Sequence, residues 1–327
     1  MGVFKPRSLE IPTPTEKPMK TLPFFCLSAT LLVSQANAAL LVYEGFDGYT
    51  AGAMGSVGNT NPNVNTVGLD KTTAYGGSGL SNYTYTTSGM SFGSLAVNGG
   101  ALTFNRPTNG AAVIAGKMAL TTPAGSTVWN SYLINISAAQ SAAGDGFHSR
   151  IATDTGTGGI HFQTFPDNRG GTASTEAGVR YIDGTTLSGA SLTLGVDYFI
   201  LGSFTNVGSV PSVGTPAVAT MYAFNLAQFG NLMAATDRQQ YLQDLTQGGS
   251  DTQATIKVSQ TLTSGSTQTF ISDQFAHLVA VGVTGKVDEL RWSNDLASAI
   301  PVPEPGTGAL GLLACLSAAF RRRRSMA

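Results

Sequence analysis

Charge is scarce in this chain: Asp, Glu, Lys and Arg make up only 11% of its 327 residues, less than half the usual share for a soluble domain. Nucleic-acid binders need dense Lys and Arg, and charged coiled coils need patterned Glu and Lys, so both classes are excluded. Cysteine is scarcer still, with Cys26 near one end and Cys315 near the other. A domain between them contains no thiol, which rules out disulfides, thiolate metal sites and a cysteine nucleophile there. The three histidines, His148, His161 and His277, show no metal-ligand spacing. His148 and His161 do fall in neighbouring predicted strands, which leaves a pairing open. No G-x-S-x-G, phosphate-binding loop or dinucleotide fingerprint occurs.

Glycine, with 40 residues, and Ser, Thr and Ala supply much of the rest, and 42% of the chain is hydrophobic, ample for a core. Eight of the 18 basic residues lie before Ala39 or after Val302. Between those positions stand 10 basic and 16 acidic residues, a net of −6. That acidic balance disfavours nucleic acid and anionic membranes as partners.

Both ends read as targeting segments. From Met19 the chain has one lysine, an apolar run from Leu22 to Val33 and then Ala36-Asn37-Ala38. These are the three parts of a secretory signal peptide, cut by signal peptidase between Ala38 and Ala39. The run is too short to span a membrane, and bulky Phe24-Phe25 before Cys26 argue against a lipoprotein. Residues 1–18 are proline-rich and polar, an N-terminal extension that makes Met19 a candidate start. At the other end, Pro301, Pro303 and Pro305 stop any preceding element. An apolar run then reaches Phe320, followed by Arg321, Arg322, Arg323 and Arg324. Counted from Pro301 the span is 20 residues, a hydrocarbon thickness, with the arginines held on the cytoplasmic side.

The ordered combination Val302-Pro303-Glu304-Pro305, Gly/Leu/Ala-rich helix and Arg321–Arg324 resembles the PEP-CTERM sorting signal of exported bacterial proteins. Gly306 stands where Ser is common. The resemblance implies export, a transient inner-membrane anchor, processing by an exosortase near the Pro-Glu-Pro motif, and a final place at the cell surface or in the extracellular matrix.

Short apolar or alternating runs of about four to eight residues recur between Gly-, Asn-, Asp- and Pro-rich turns from Leu40 to Trp292. They predict about a dozen strands, including Leu95–Val97, Ser131–Ser137 and Tyr198–Phe204. Apolar periodicity predicts one helix over Leu226–Leu245, and Gly52–Asn65, Tyr75–Gly93 and Asp154–Gly159 read as long surface loops. The pattern predicts one all-β domain over residues 39–298, with residues 299–327 as the sorting segment. Leu41–Asp47 and Gly285–Trp292 resemble the first and last strands of concanavalin A-like, LamG-type jelly rolls, and Trp129–Ile134 and Leu194–Leu201 resemble internal ones. That resemblance implies two curved antiparallel sheets, paired terminal strands and an association with glycans or adhesion.

No catalytic residue is identified. The E-x-D-x-x-E strand that resembles the laminarinase-like glycosidase pattern does not occur, and the adjacent Asp288 and Glu289 should point to opposite faces of a strand. Glu289 reads as a surface residue or a partner of Arg291. Calcium is the candidate cofactor, through the oxygen-rich turns at Asp145, Asp154 and Asp167. Tyr75, Tyr83 and Tyr85, in a predicted loop, are the candidate sugar-stacking residues, whereas Trp129 and Trp292 read as core or sheet-face residues. The leading expectation is a non-enzymatic surface or matrix protein that binds polysaccharide or surface proteins. A secreted polysaccharide-degrading enzyme on the same fold and a purely structural coat component stay open.

Overall fold

A computed structural model describes residues 40–54, 60–63, 65–93, 95, 97, 99–105, 111–118, 126–139, 146–152, 160–164, 176–180, 186–207, 212–246, 256–263 and 275–300. These form fifteen strands: β1 Leu40–Glu44, β2 Gly52–Ala53, β3 Tyr83–Thr86, β4 Ala101–Asn105, β5 Ala111–Lys117, β6 Ser126–Ala139, β7 Gly146–Ala152, β8 Ile160–Thr164, β9 Glu176–Arg180, β10 Thr186–Ser191, β11 Asp197–Val207, β12 Ala217–Phe224, β13 Ile256–Leu262, β14 Phe275–Val281 and β15 Val283–Ser293. One sheet runs β13-β12-β11-β6-β15-β4-β3-β2 with β1 also on β15, and the other runs β10-β9-β8-β7-β14-β5. All the strand pairs are antiparallel, and the first strand pairs with the last, Val42 opposite Trp292. The expected all-β sandwich is the fold of the described residues.

Alternation sets the interior between the sheets. Tyr132, Ile134 and Ile136 on β6 and Tyr198 and Ile200 on β11 share a buried cluster with Phe147 and Ile151 on β7 and Leu278 on β14. Phe147 joins the sheets, its ring 4.9 Å from that of Phe104 and 5.6 Å from that of Tyr132. The middle of β11 is buried on both faces, because Leu133, Phe199, Leu201 and Phe224 on the outer face of the larger sheet form a second cluster. A strand covered twice reads as a continuous apolar run, which Tyr198–Leu201 does.

The cover over that second cluster differs from the single helix predicted. Helix α1, Leu226–Ala234, starts at a capping box between Asn225 and Gln228. The chain is extended at Ala235, and Asp237 then accepts the Gln240 N–H and starts α2, Arg238–Asp244. Thr236-Asp237 is thus a new N-terminus inside the apolar period. A third short helix, α3 Leu296–Ala299, follows the last strand. Leu95 and Val97 are not in a strand: they pack on the second cluster with Met90 and Phe92. Among the described residues no helix is long and apolar enough to cross a membrane, and the C-terminal run expected to do so lies outside them.

Candidate functional site: a polar groove on the larger sheet

The outer face of the larger sheet divides in two. Its β11–β12 side is covered by the helices, and its β4–β15–β6 side is open and polar. Strand register builds the open side: Thr84 pairs with Thr103, Thr103 with Lys286, Lys286 with Asn135, and Asn135 with Asp197. Paired residues share a face, so side chains from five strands form one row. Asn105 opposite Thr284 adds a second level. Together with the segment Gly89–Ser91, these residues other than Thr84 line a groove of about 500 Å³.

Hydrogen bonds hold the row in position. Asn135 Nδ2 donates to Asp197 Oδ1 at 2.7 Å and to the Gly195 carbonyl at 3.0 Å. Thr284 Oγ1 donates to Asn105 Oδ1 at 3.1 Å, and Ser137 Oγ to the Thr284 carbonyl at 3.2 Å. Lys286 Nζ donates to the Ser88 carbonyl at 2.7 Å, tying the rim to the floor. The groove therefore offers amides, hydroxyls, one ammonium and one carboxylate at fixed spacing. Such a set recognises a ligand rich in hydroxyl groups through many ordinary hydrogen bonds.

Asp288 anchors the rim. Its Oδ2 accepts the Met90 N–H and its Oδ1 the Glu289 N–H, each at 2.8 Å. A side chain at position 89 would stand 3.1 Å from that carboxylate and 3.2 Å from the Gly100 carbonyl, so Gly89 permits the close approach. Burial pushes the Asp288 carboxyl up to about 8, against the two N–H bonds and with the Glu289 charge adding to the rise. Because the folded value lies above the ordinary one, its stabilising contribution is complete below about pH 4 and is lost as pH rises to about 8. Asp288→Asn is expected to flatten a urea-unfolding stability profile over that window, where the single group gives a slope of at most about 1.4 kcal/mol per pH unit. Glu44, also raised by burial, leaves a residual slope of the same sign.

The neighbouring acid departs from expectation. From Asp288 to Arg291 strand β15 carries one more residue than β6 does from Leu133 to Ser131, and Glu289 takes a φ of 54°. At this bulge Glu289 lies on the same side as Arg291 and Tyr43, and it is only 1% exposed. Its expected partner is present: Arg291 Nη2 lies 2.8 Å from Glu289 Oε2. Tyr43 donates to Glu289 Oε1 at 3.2 Å, and the Arg291 guanidinium lies 4.5 Å from the centre of the Tyr43 ring.

The tyrosines expected to meet sugar are in the interior: Tyr75 is 8% exposed, Tyr83 is 0% and Tyr85 is 1%. Tyr83 and Tyr85 belong to strand β3, and Tyr83 donates toward the Leu278 carbonyl across the sandwich. Tyr75 and Tyr49 both donate to Glu44 Oε2, Tyr49 at 2.7 Å, and the Phe46 N–H donates to Oε1 at 2.7 Å. Tyr49 stacks on Tyr85 with the rings 3° from parallel. Burial raises the Glu44 carboxyl and the tyrosine hydroxyls around it. A pocket of about 410 Å³, with Asp47 and Asn65 on its wall, adjoins Glu44. Both Glu44 oxygens are engaged by its own loop, the arrangement of a structural lock between β1 and the segments around Tyr49 and Tyr75.

Trp292 is fully buried and Trp129 packs on the second cluster, as core and sheet-face residues do. Asp145, Asp154 and Asp167, the signal residues Ala36, Ala38 and Ala39, the motif Val302–Pro305 and Arg321–Arg324 lie outside the described residues. Among the described residues no group of three or more His, Cys, Asp or Glu is placed to hold a metal ion.

No protein-family model matches the chain, and no curated protein matches it in sequence. Among solved structures, peanut lectin is similar at 10% identity and a TM-score of 0.39, over 75% of this chain and 95% of that one. Lectin II from Ulex europaeus is similar at 10% identity and 0.36, over 66% and 93%. A protein of unknown function from Shewanella oneidensis MR-1 is similar at 13% identity and 0.38, over 82% and 92%. The fold rests on the strand pairing above, and no property of those proteins is transferred to this chain.

Proposed function

We propose that this protein is an exported, non-enzymatic component of the cell surface or extracellular matrix that holds neutral polysaccharide in the groove between Gly89–Ser91 and the row Thr103, Lys286, Asn135 and Asp197. The observation that carries this reading is the alignment of hydroxyl, amide and charged groups from adjacent strands on an open sheet face. A linear glycan presents hydroxyls along its length, and a row that crosses strands at about 4.8 Å intervals meets them repeatedly. The signal-like N-terminus and the PEP-CTERM-like C-terminus support the reading of an exported domain, with signal peptidase and exosortase as its proposed processing partners.

The test mixes the purified protein with laminarin, dextran and galactan, with and without calcium, and follows both protein depletion and new reducing ends or unsaturated sugars. Depletion without new ends is expected. New ends would show an enzyme instead, and neither signal would leave a structural coat component. For the sorting step, the intact mass of native protein from the surface fraction is expected to lack Arg321–Arg324. A full-length C-terminus there would contradict exosortase processing.

A further inference from the structure

The helices over the second cluster leave a cleft between them, away from the groove. The junction of α1 and α2 forms one wall and Leu296 and Ala297 of α3 the other, around about 430 Å³. Thr236, Asp237, Gln239 and Ala297 are exposed there, and Arg238 is half-buried. Arg238 is an unpaired cation: its Nε is buried without a hydrogen-bond partner, and among the described residues no ion pair or hydrogen bond reaches its guanidinium. The acids of these short helices are engaged elsewhere. Asp237 Oδ1 accepts the Gln240 N–H and Asp295 Oδ1 the Ser298 N–H, each at 2.9 Å, and Asp244 Oδ1 accepts the Gln240 side-chain amide at 2.8 Å. A guanidinium keeps its charge at every working pH, so its donors need an acceptor. With Nε enclosed by protein, the terminal nitrogens are the ones left for the cleft. Beside them Thr236 offers a hydroxyl, Gln239 an amide and Asp237 a second carboxylate oxygen, opposite the apolar wall of Leu296 and Ala297.

We infer that this cleft is a second binding site, for a single sugar acid whose carboxylate rests on Arg238. The two terminal nitrogens of an arginine match the two oxygens of a carboxylate. The open oxygen of Asp237 and the amide of Gln239 suit ring hydroxyls, which a simple acid lacks. The C–H face of a sugar ring then covers Leu296 and Ala297. A volume of about 430 Å³ falls among small-ligand sites, which span about 300 to 1,000 Å³. The choice of a sugar acid over other hydroxy acids rests on the glycan-holding reading above. The cleft itself does not, since it shares no residue with the groove.

The test titrates glucuronate into the purified full-length protein at neutral pH and low salt, followed by saturation-transfer NMR. Glucose, the same ring without the carboxylate, and acetate, the carboxylate without the ring, are the comparison probes. Glucuronate is expected to bind with a dissociation constant on the order of 1 mM, in keeping with its size, and glucose and acetate about tenfold more weakly or worse. Arg238→Gln should weaken glucuronate about tenfold, and Ala297→Trp, which fills the cleft from its exposed wall, should abolish binding. Both variants should melt within a few degrees of wild type, because Arg238 gives up no partner and Ala297 is exposed. No saturable binding, or wild-type affinity in either variant, would overturn the inference. Acetate bound as tightly as glucuronate would overturn its assignment to a sugar acid. Asn135→Ala/Lys286→Ala in the groove should leave glucuronate binding in place, and Arg238→Gln should leave retention on neutral polysaccharide in place, so failure of the groove reading and failure of this one are told apart.

Discussion

Glu44→Ala is expected to lower the unfolding free energy by about 3 to 5 kcal/mol, a large part of a domain's net stability. The substitution leaves the Phe46 N–H and the Tyr49 and Tyr75 hydroxyls without their acceptor in the interior. Each buried donor left unsatisfied costs about 1 to 3 kcal/mol. Tyr49 would also lose the bond that holds it flat against Tyr85 at 4.2 Å. Glu44→Gln keeps a carbonyl oxygen in place and should lose less than half as much. Urea unfolding followed by tryptophan fluorescence checks both, since Trp292 is on the strand that pairs with β1. An alanine variant within 1 kcal/mol of wild type, on the scale of an ordinary surface substitution, would show that the tyrosine cage is not a lock.

The second large effect is on binding. Asn135→Ala/Lys286→Ala removes the two central members of the groove row and is expected to weaken retention on neutral polysaccharide by about 10- to 100-fold, as the loss of two or more polar contacts does. Neither side chain supports the core: Asn135 and Lys286 are partly exposed and bond to groups at the groove's own floor and rim. The thermal midpoint should therefore shift by only a few degrees, and depletion assays at several polysaccharide concentrations separate lost affinity from lost protein. A double variant that binds like wild type would remove the groove from consideration.

The strands were legible in the sequence wherever one face is buried. The runs at Ser131–Ser137 and Tyr198–Phe204 fall inside β6 and β11. Tyr83–Thr86, which is strand β3, reads as loop in the sequence because Gly and Ser flank it and its four residues are too few for a periodic signal. The split at Asp237 was hidden because the apolar residues of α1 and α2 keep nearly the period of one helix. Glu289 is buried beside Arg291 and Tyr43 because of a one-residue bulge, which alternation alone does not show. The groove was less legible than any of these. Thr103, Asn135, Asp197 and Lys286 are ordinary polar positions on separate strands, up to 183 residues apart, and only the register brings them into one row. Their signal lies in which polar residues occupy the outward positions of strands whose inward positions form the core.

The central claim, that the open half of the larger sheet holds a neutral glycan, is tested most directly by amide hydrogen exchange of the full-length protein. The measurement compares the free protein with the protein saturated by the neutral polysaccharide of the panel that it retains best. The account predicts added protection along the groove, at Gly89–Ser91, Thr103–Asn105, Asn135–Ser137 and Thr284–Lys286. Protection confined to other elements, with these four segments unchanged, would contradict it.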